Sequence, residues 1–363
     1  MKNKLRILLV WALISLVLQL GAYSLLNYQI QKVMQPAGTE PIALQLKTTI
    51  PGLGFTNVQI SYAKDYLAYM ENGTLKIFNL KKNKVVFEKI SPSDNESGLG
   101  VLSYQWLPDR STLIYFYADN SSTRSGNSQN TELYTLELPS SDDDAAPDNR
   151  LNQAIGNFPA GGKIEDFVVS TSTNLMYFTV KNGSTERLME INVMKNVRTL
   201  SKSGETIDKM AASDQYGTLY IDSKIGSTQN IIAFDAGKRK LISRNAYDKV
   251  LGIKAGKVYI GEVKNNELVK IKTITDRSKM TESPSLKTEW TGTIPFTNVS
   301  AFVGAKGQVV VYNNQTAYIV TAGQLKEVKL TGDQNYVSDD GEETIQLSNQ
   351  GTSTLVELQP LKP

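Results

Sequence analysis

The sequence has no cysteine and no histidine among its 363 residues. Without cysteine there is no disulfide framework, no iron–sulfur site and no thiol nucleophile. Without histidine the usual metal ligand and the commonest general base are missing, and so is every Ser-His-Asp or Cys-His arrangement. Glycine-rich phosphate loops of the P-loop or dinucleotide type are absent as well. An excess of charge is also lacking: Lys plus Arg is 39 and Asp plus Glu is 36. Lys2, Lys4, Arg6 and Lys32 are the only charged residues before Glu40, and setting these four aside leaves 35 basic residues against 36 acidic ones. No concentrated basic face of the kind nucleic acid requires is expected from that balance. What is present, 40% hydrophobic and 21% charged residues, is ordinary for a chain that folds around a core.

Residues 7–31 carry no charge, and residues 7–26 read ILLVWALISLVLQLGAYSLL, with Ser15, Gln19 and Ser24 as the polar interruptions. As a helix, 20 such residues would span about 30 Å, the thickness of a bilayer's hydrocarbon core. A cleaved secretory signal would have a shorter apolar run and a small-x-small site, for which Gly21-Ala22 is a poor candidate. An uncleaved signal anchor over residues 7–28 is therefore expected. Lys2, Lys4 and Arg6 precede it and only Lys32 follows closely, which keeps a short tail (1–6) in the cytoplasm and sends the rest outside. Tyr23 and Tyr28 fall where an outer interface would lie. Pro36, Gly38 and Pro41 mark residues 29–41 as a stalk.

Beyond residue 41 the sequence consists of short runs rich in Val, Ile, Tyr, Thr and Leu, separated by Gly, Asn, Asp and Ser, which is an all-β pattern. The runs group into units beginning near Val58, Val101, Ile164, Ile207, Lys249, Phe296 and Asn335. A period of about 40–45 residues with four strands per unit is that of a propeller blade. The long second interval holds two polar insertions, 119–130 and 139–150. The last unit has three strands, and the alternating segment 42–49 (IALQLKTT) can supply its fourth. Pairing the two chain ends would close the ring and remove exposed edges. The expected fold is a seven-bladed β-propeller over 42–358, closed by an N-terminal strand and preceded by one transmembrane helix, with 359–363 as a tail. A pair of β-sandwiches is the alternative, but sandwiches have no need of the repeat.

Residues 106–115 read WLPDRSTLIY. This resembles the W-S-P-D-G-x-x-L/I-x-Y/F turn of TolB-like propellers, also found in the propeller domains of prolyl-oligopeptidase-type peptidases. Arg110 stands where the family usually has Gly. Pro108 presets the turn, and Asp109 can accept backbone N–H bonds as the chain reverses. Shorter echoes occur at 63–66, 213–217 and 339–341. The resemblance implies a fold within the TolB-like and WD40-like propeller superfamily. It implies neither TolB's partners nor a peptidase, since no TolB-like N-terminal domain, hydrolase domain or histidine is present. The G-H and W-D signature of WD40 blades and the S-x-D-x-G-x-x-W Asp-box are absent.

Several side chains can be weighed for chemistry. Asp142, Asp143 and Asp144 could offer oxygens to a divalent cation, but Ser140, Ser141, Ala145, Ala146 and Pro147 around them read as a surface loop. Asp339-Asp340-Gly341-Glu342-Glu343 lacks the alternating spacing of a calcium loop and reads as a turn. Glycoside hydrolysis needs only two carboxylates, for which Asp65, Asp109, Glu165, Asp166 and Asp222 are candidates at strand ends and turns. Trp106, Trp290 and the 17 tyrosines can stack on ligands, but aromatic residues on strands more often pack between blades. The insertion 119–130 has loop composition, and loops on a propeller face often bind. No catalytic residue, metal ligand or cofactor is assigned, and no partner-binding residue is identified. The expected function is that of a non-catalytic, membrane-anchored extracytoplasmic propeller, a sensor or assembly scaffold for a protein partner or envelope ligand. The alternative is an envelope glycoside hydrolase using paired carboxylates.

Overall fold

The structure, a computed structural model, describes residues 46–91, 99–119, 128–159, 161–235, 237–277 and 280–361, together with Ser15, Gln19 and Tyr23. The expected anchor and stalk therefore lie outside the described residues apart from those three positions. Among the described residues no helix is long and apolar enough to cross a membrane. The chain divides into Met1–Leu44 and Gln45–Pro363. All the strands of the described residues belong to the second unit.

These strands form seven four-stranded antiparallel sheets, six of them built from four consecutive strands. The blades begin with first strands Thr56–Ile60, Val101–Trp106, Lys163–Ser170, Glu205–Ala212, Asp248–Lys254, Ser300–Val303 and Gln334–Val337. In the seventh sheet the fourth strand is Leu46–Pro51, which pairs with Ser353–Pro360 from Leu46↔Leu358 to Pro51↔Ser353. The two chain ends thus share one blade. The expected closing strand is present from Leu46 onward, and residues 42–45 lie outside the described residues. The last strand runs to Pro360 and Leu361 is buried against blades 6 and 7, so the propeller extends beyond residue 358, where the sequence suggested a tail.

The burial gradient across a blade explains the sequence pattern. Second strands are covered on both faces by neighbouring blades, so they read as nearly continuous apolar runs, as in Thr112–Asp119 (TLIYFYAD). Fourth strands face solvent, and Gln324–Lys329 (QLKEVK) is exposed at almost every position. Apolar clusters occupy the seams between successive blades. Tyr66, Leu75 and Ile77 of blade 1 pack on Trp106, Leu113 and Tyr115 of blade 2. Blades 2 and 3 meet through Phe116, Phe158, Phe167 and Phe178. The closing seam joins Ile50, Ile345 and Val356 of blade 7 to Phe55, Leu67 and Tyr69 of blade 1. Each fully buried side chain of this size contributes roughly 1.5–3 kcal/mol, so the ring is held by its seams as well as by its sheets.

Strands Ser128–Glu137 and Asp148–Pro159 form a long hairpin in blade 2 that takes in residues 128–130 and 148–150, the last residues of the two insertions. The segment between these strands folds back on blade 1: Asn79 Nδ2 donates to the Ser141 carbonyl at 2.9 Å, and Tyr66 Oη donates to the Pro139 carbonyl at 3.2 Å.

Candidate functional site

The first strands surround a central channel of about 660 Å³, lined by residues from all seven blades. Five of these strands are bulged against their second strands, between Thr56/Gln59, Val101/Ser103, Ile164/Asp166, Ile207/Met210 and Val250/Gly252. A bulge kinks a strand and re-aims its side chains. In blade 1 the bulge places Asn57 at φ 52°, a left-handed conformation that asparagine tolerates better than most residues.

The turns that end these strands share one geometry. The backbone N–H of Ser61, Leu107, Ser213 and Ser338 donates to the carbonyl five residues on, at Tyr66, Thr112, Thr218 and Glu343. The TolB-like stretch and its echoes near residues 63, 213 and 339 therefore occupy equivalent turns. Registered on that residue, and in blade 3 on Ser170, which pairs with Leu175 at the same offset, the position four before it is Asn57, Ser103, Asp166 and Lys209 in blades 1 to 4, and all four line the channel. This ring was not identified in the sequence, because aligning the strands by their apolar residues hides a polar position on their inner face.

Lys209 is the centre of the channel's electrostatics, its ammonium acting on Asp166, Asp222 and Asp339. Asp166 and Asp339 line the channel beside it. Burial raises the Asp166 carboxyl, and Lys209 and the Phe167 backbone N–H oppose that rise. Asp339 keeps solvent contact within the channel, yet protein crowds it on most sides; burial and the neighbouring Asp340 raise its pKa to about 6 against the pull of Lys209. Asp222 lies behind the wall, 1% exposed. Its Oδ1 accepts the Val250 N–H at 2.7 Å, and among the described residues its Oδ2 has no partner. Burial raises this carboxyl to about 7, opposed by the Val250 N–H and Lys249.

Of the sequence-derived carboxylate candidates, the channel gathers Glu165 and Asp166. Glu165 is the exposed bulge residue, 4.0 Å from Lys181. Asp65 accepts the Ser61 hydroxyl at 2.9 Å and serves its turn. Asp109 pairs with the adjacent Arg110 at 3.1 Å on the surface. Asp142 and Asp144 pair with Lys81 and Lys82 of blade 1 at 3.0 and 2.6 Å, so two of the three acidic side chains fasten the insertion to blade 1. Asp340, Glu342 and Glu343 gather around Lys64, which makes that acidic turn a seam. Among the described residues no three acidic side chains form a group able to hold a metal ion. Trp106 and Trp290 are buried at seams, and the Trp106 Nε1–H donates to the Gln59 carbonyl at 3.4 Å. Most of the insertion 119–130 lies outside the described residues.

No protein-family model matches the chain, and no curated protein is similar to it in sequence. Solved structures similar to it include the following three. TolB from Acinetobacter baumannii aligns at 11% identity and a TM-score of 0.42, over 86% of this chain and 64% of that one. The β-propeller domain of Cps50 (Swd1) from Myceliophteria thermophila aligns at 11% and 0.39, over 87% and 99%. The acylaminoacyl peptidase of Pyrococcus horikoshii aligns at 11% and 0.46, over 81% and 50%. The chain thus spans less than two thirds of TolB and half of the peptidase. The seven closed blades are read from the sheets themselves.

Proposed function

We propose that this chain is a membrane-anchored, extracytoplasmic propeller that binds a protein partner or envelope ligand without catalysing a reaction, as a sensor or assembly scaffold. The closed ring is the observation that carries the binding part of this reading. Seven sheets packed seam to seam, with the chain ends paired in one blade, make a stiff disc. Its turns present a broad surface at little entropic cost. The anchor is supported by the charge-free run 7–31 and by the three basic residues before it. Tethering would raise the disc's effective concentration beside membrane partners.

Cross-linking of the full chain in its own membranes, followed by affinity capture and mass spectrometry, tests the binding part. A protein or envelope polymer that co-purifies reproducibly is expected. Carbonate extraction and protease access to the intact cell test the anchor: the chain should stay with the membrane and be cleavable from outside. Extraction into the soluble fraction would remove the anchor from the reading.

A further inference from the structure

We infer that the central channel is a binding site for a neutral carbohydrate, with Asp166, Lys209 and Asp339 hydrogen-bonding its hydroxyls. The inference rests on the proposed binding role. Charged side chains elsewhere are matched, across seams as in Lys64 with Asp340 and Lys249 with Asp208, and within blade 4 as in Arg239 with Glu205. In the channel Glu165 has Lys181 at 4.0 Å, but Lys209, Asp166 and Asp339 are not matched in this way. Among the described residues the Lys209 ammonium donates no hydrogen bond and has no ion pair within 4.0 Å. Among the described residues no donor reaches the Asp339 carboxylate, and the Asp166 carboxylate meets the Phe167 N–H alone. Gln59, another channel residue, has its Oε1 enclosed and without a partner. Enclosed polar atoms are normally paired, so Gln59 Oε1 points to an absent partner; Lys209 and Asp166 are half-buried and Asp339 is open to the channel, so all three can reach a ligand seated there.

The mixture of charges selects the chemistry of that partner. A simple anion would satisfy Lys209 and be repelled by the carboxylates beside it. A simple cation would do the reverse. A hydroxyl both accepts and donates, so a run of hydroxyls can accept from Lys209 and donate to Asp166, Asp339 and Gln59 with no charge conflict. The remaining lining suits the apolar faces of a sugar ring: Phe302, Tyr312 and Tyr336 border the same space, with the Phe302 and Tyr312 rings 6.3 Å apart edge to face. The volume of about 660 Å³ falls within the roughly 300–1,000 Å³ of small-molecule sites.

The test is saturation-transfer NMR and calorimetry on the full-length protein with maltose, cellobiose and N,N′-diacetylchitobiose, repeated with the Lys209→Met, Asp166→Asn and Asp339→Asn variants. At least one sugar should bind, and each variant should weaken it about 10–100-fold, the loss expected for a hydrogen bond to a charged group. Asp339→Asn lies on a turn in contact with solvent and keeps the test open if Lys209→Met does not fold. No binding of any sugar, or binding unchanged in all the folded variants, overturns the inference. Glycine or lysine binding where the sugars do not would assign the channel to zwitterions and overturn the carbohydrate class, leaving the binding role intact. Release of monosaccharide from a bound disaccharide would overturn the non-catalytic reading instead.

Discussion

Lys64, on the first turn of blade 1, stands 2.8 Å from Asp340 on the equivalent turn of blade 7. The contact bridges the seam at which the ring closes, and Glu342 and Glu343 share the same ammonium. Gln308 of blade 6 reaches the same turn, its Nε2 donating to the Asp340 carbonyl at 3.0 Å. Burial lowers the Lys64 pKa, but hydrogen bonds to Asp340 and Glu343 outweigh it and leave the ammonium above its ordinary value. Burial raises Asp340, but Lys64, Ser338 and the Glu342 N–H outweigh it and leave that carboxyl below its ordinary value. The lysine contribution is therefore full below the unfolded lysine pKa and is lost as pH rises through the folded one. The aspartate contribution is present above the unfolded carboxyl pKa and is lost as pH falls through the folded one.

Lys64→Met should destabilise the propeller by about 1–3 kcal/mol, between the values for exposed and buried pairs. Thermal melts of Lys64→Met, Asp340→Asn and the double variant check this. The double variant should lose less than the sum of the singles, whereas strict additivity would mean that the two groups do not act on one another.

Asp222 makes the opposite prediction. Its folded pKa of about 7 lies above the unfolded value of about 3.9. Between those two values the unfolded chain releases a proton that the folded chain retains, so stability falls as pH rises through this window and levels off above it. At about 1.4 kcal/mol per pKa unit, the penalty at pH 8 is on the order of 4 kcal/mol. Asp222→Asn keeps an oxygen for the Val250 N–H and removes the charge. The variant should gain on the native chain as pH rises from 4 to 8, read as a widening difference in melting temperature. A constant difference across that range would show that Asp222 does not titrate in the fold.

At Gly252 a side chain has no room. A Cβ there would lie 2.9 Å from Val303 Cγ2 and 3.2 Å from the Val303 backbone nitrogen, where the first strands of blades 5 and 6 approach one another. The backbone cannot step aside cheaply. Gly252→Val should cost about 1–3 kcal/mol or more, the usual penalty of overpacking. Gly183, with no atom within 4 Å of its Cβ position but φ 58°, is the control: Gly183→Asn should be close to neutral, since Asn accepts that conformation. Chemical denaturation separates the two.

The architecture was legible because a blade sandwiched between neighbours must bury both faces of its inner strands. That burial writes apolar runs such as TLIYFY and VVVY into the sequence at nearly constant spacing. The three-strand last unit showed where the ring closes for the same reason, since a sheet lacking one edge must find it elsewhere in the chain. The channel was less legible. Asp166 stood out as a carboxylate, but Lys209, Asn57 and Gln59 are common residues in strands rich in other polar residues. Bulges shift the inward register by a residue in five blades, so no fixed alternation marks them. Counting back four residues from the position that begins each turn, Ser61, Leu107, Ser170 and Ser213, would have aligned Asn57, Ser103, Asp166 and Lys209. The acidic runs were read as a surface loop and a turn, which is where they lie; their partners, Lys64, Lys81 and Lys82, were not legible because they stand in blade 1, far off in sequence.

The fold-back of the blade 2 insertion depends on Asn79. This side chain is 1% exposed. Its Nδ2 donates to the Ser141 carbonyl at 2.9 Å, and its Oδ1 accepts the Lys81 and Lys82 N–H groups at 3.0 and 2.8 Å. One amide thus orders the turn that carries Lys81 and Lys82 and holds the loop whose acids they pair with. The pairs themselves are exposed on the acidic side, 76% for Asp142 and 88% for Asp144, and contribute little alone. Asn79→Ala leaves a buried carbonyl and two N–H groups unmatched, at about 1–3 kcal/mol for each that water does not reach. Local opening of 139–147 should therefore become about 10–100-fold more frequent, with global unfolding affected less. Asp-N protease, cutting before Asp142, Asp143 or Asp144, reads that opening directly. Cleavage should accelerate by that factor in Asn79→Ala and by much less in Lys81→Ala. Equal rates in the two variants would assign the loop's order to the ion pairs and not to the amide.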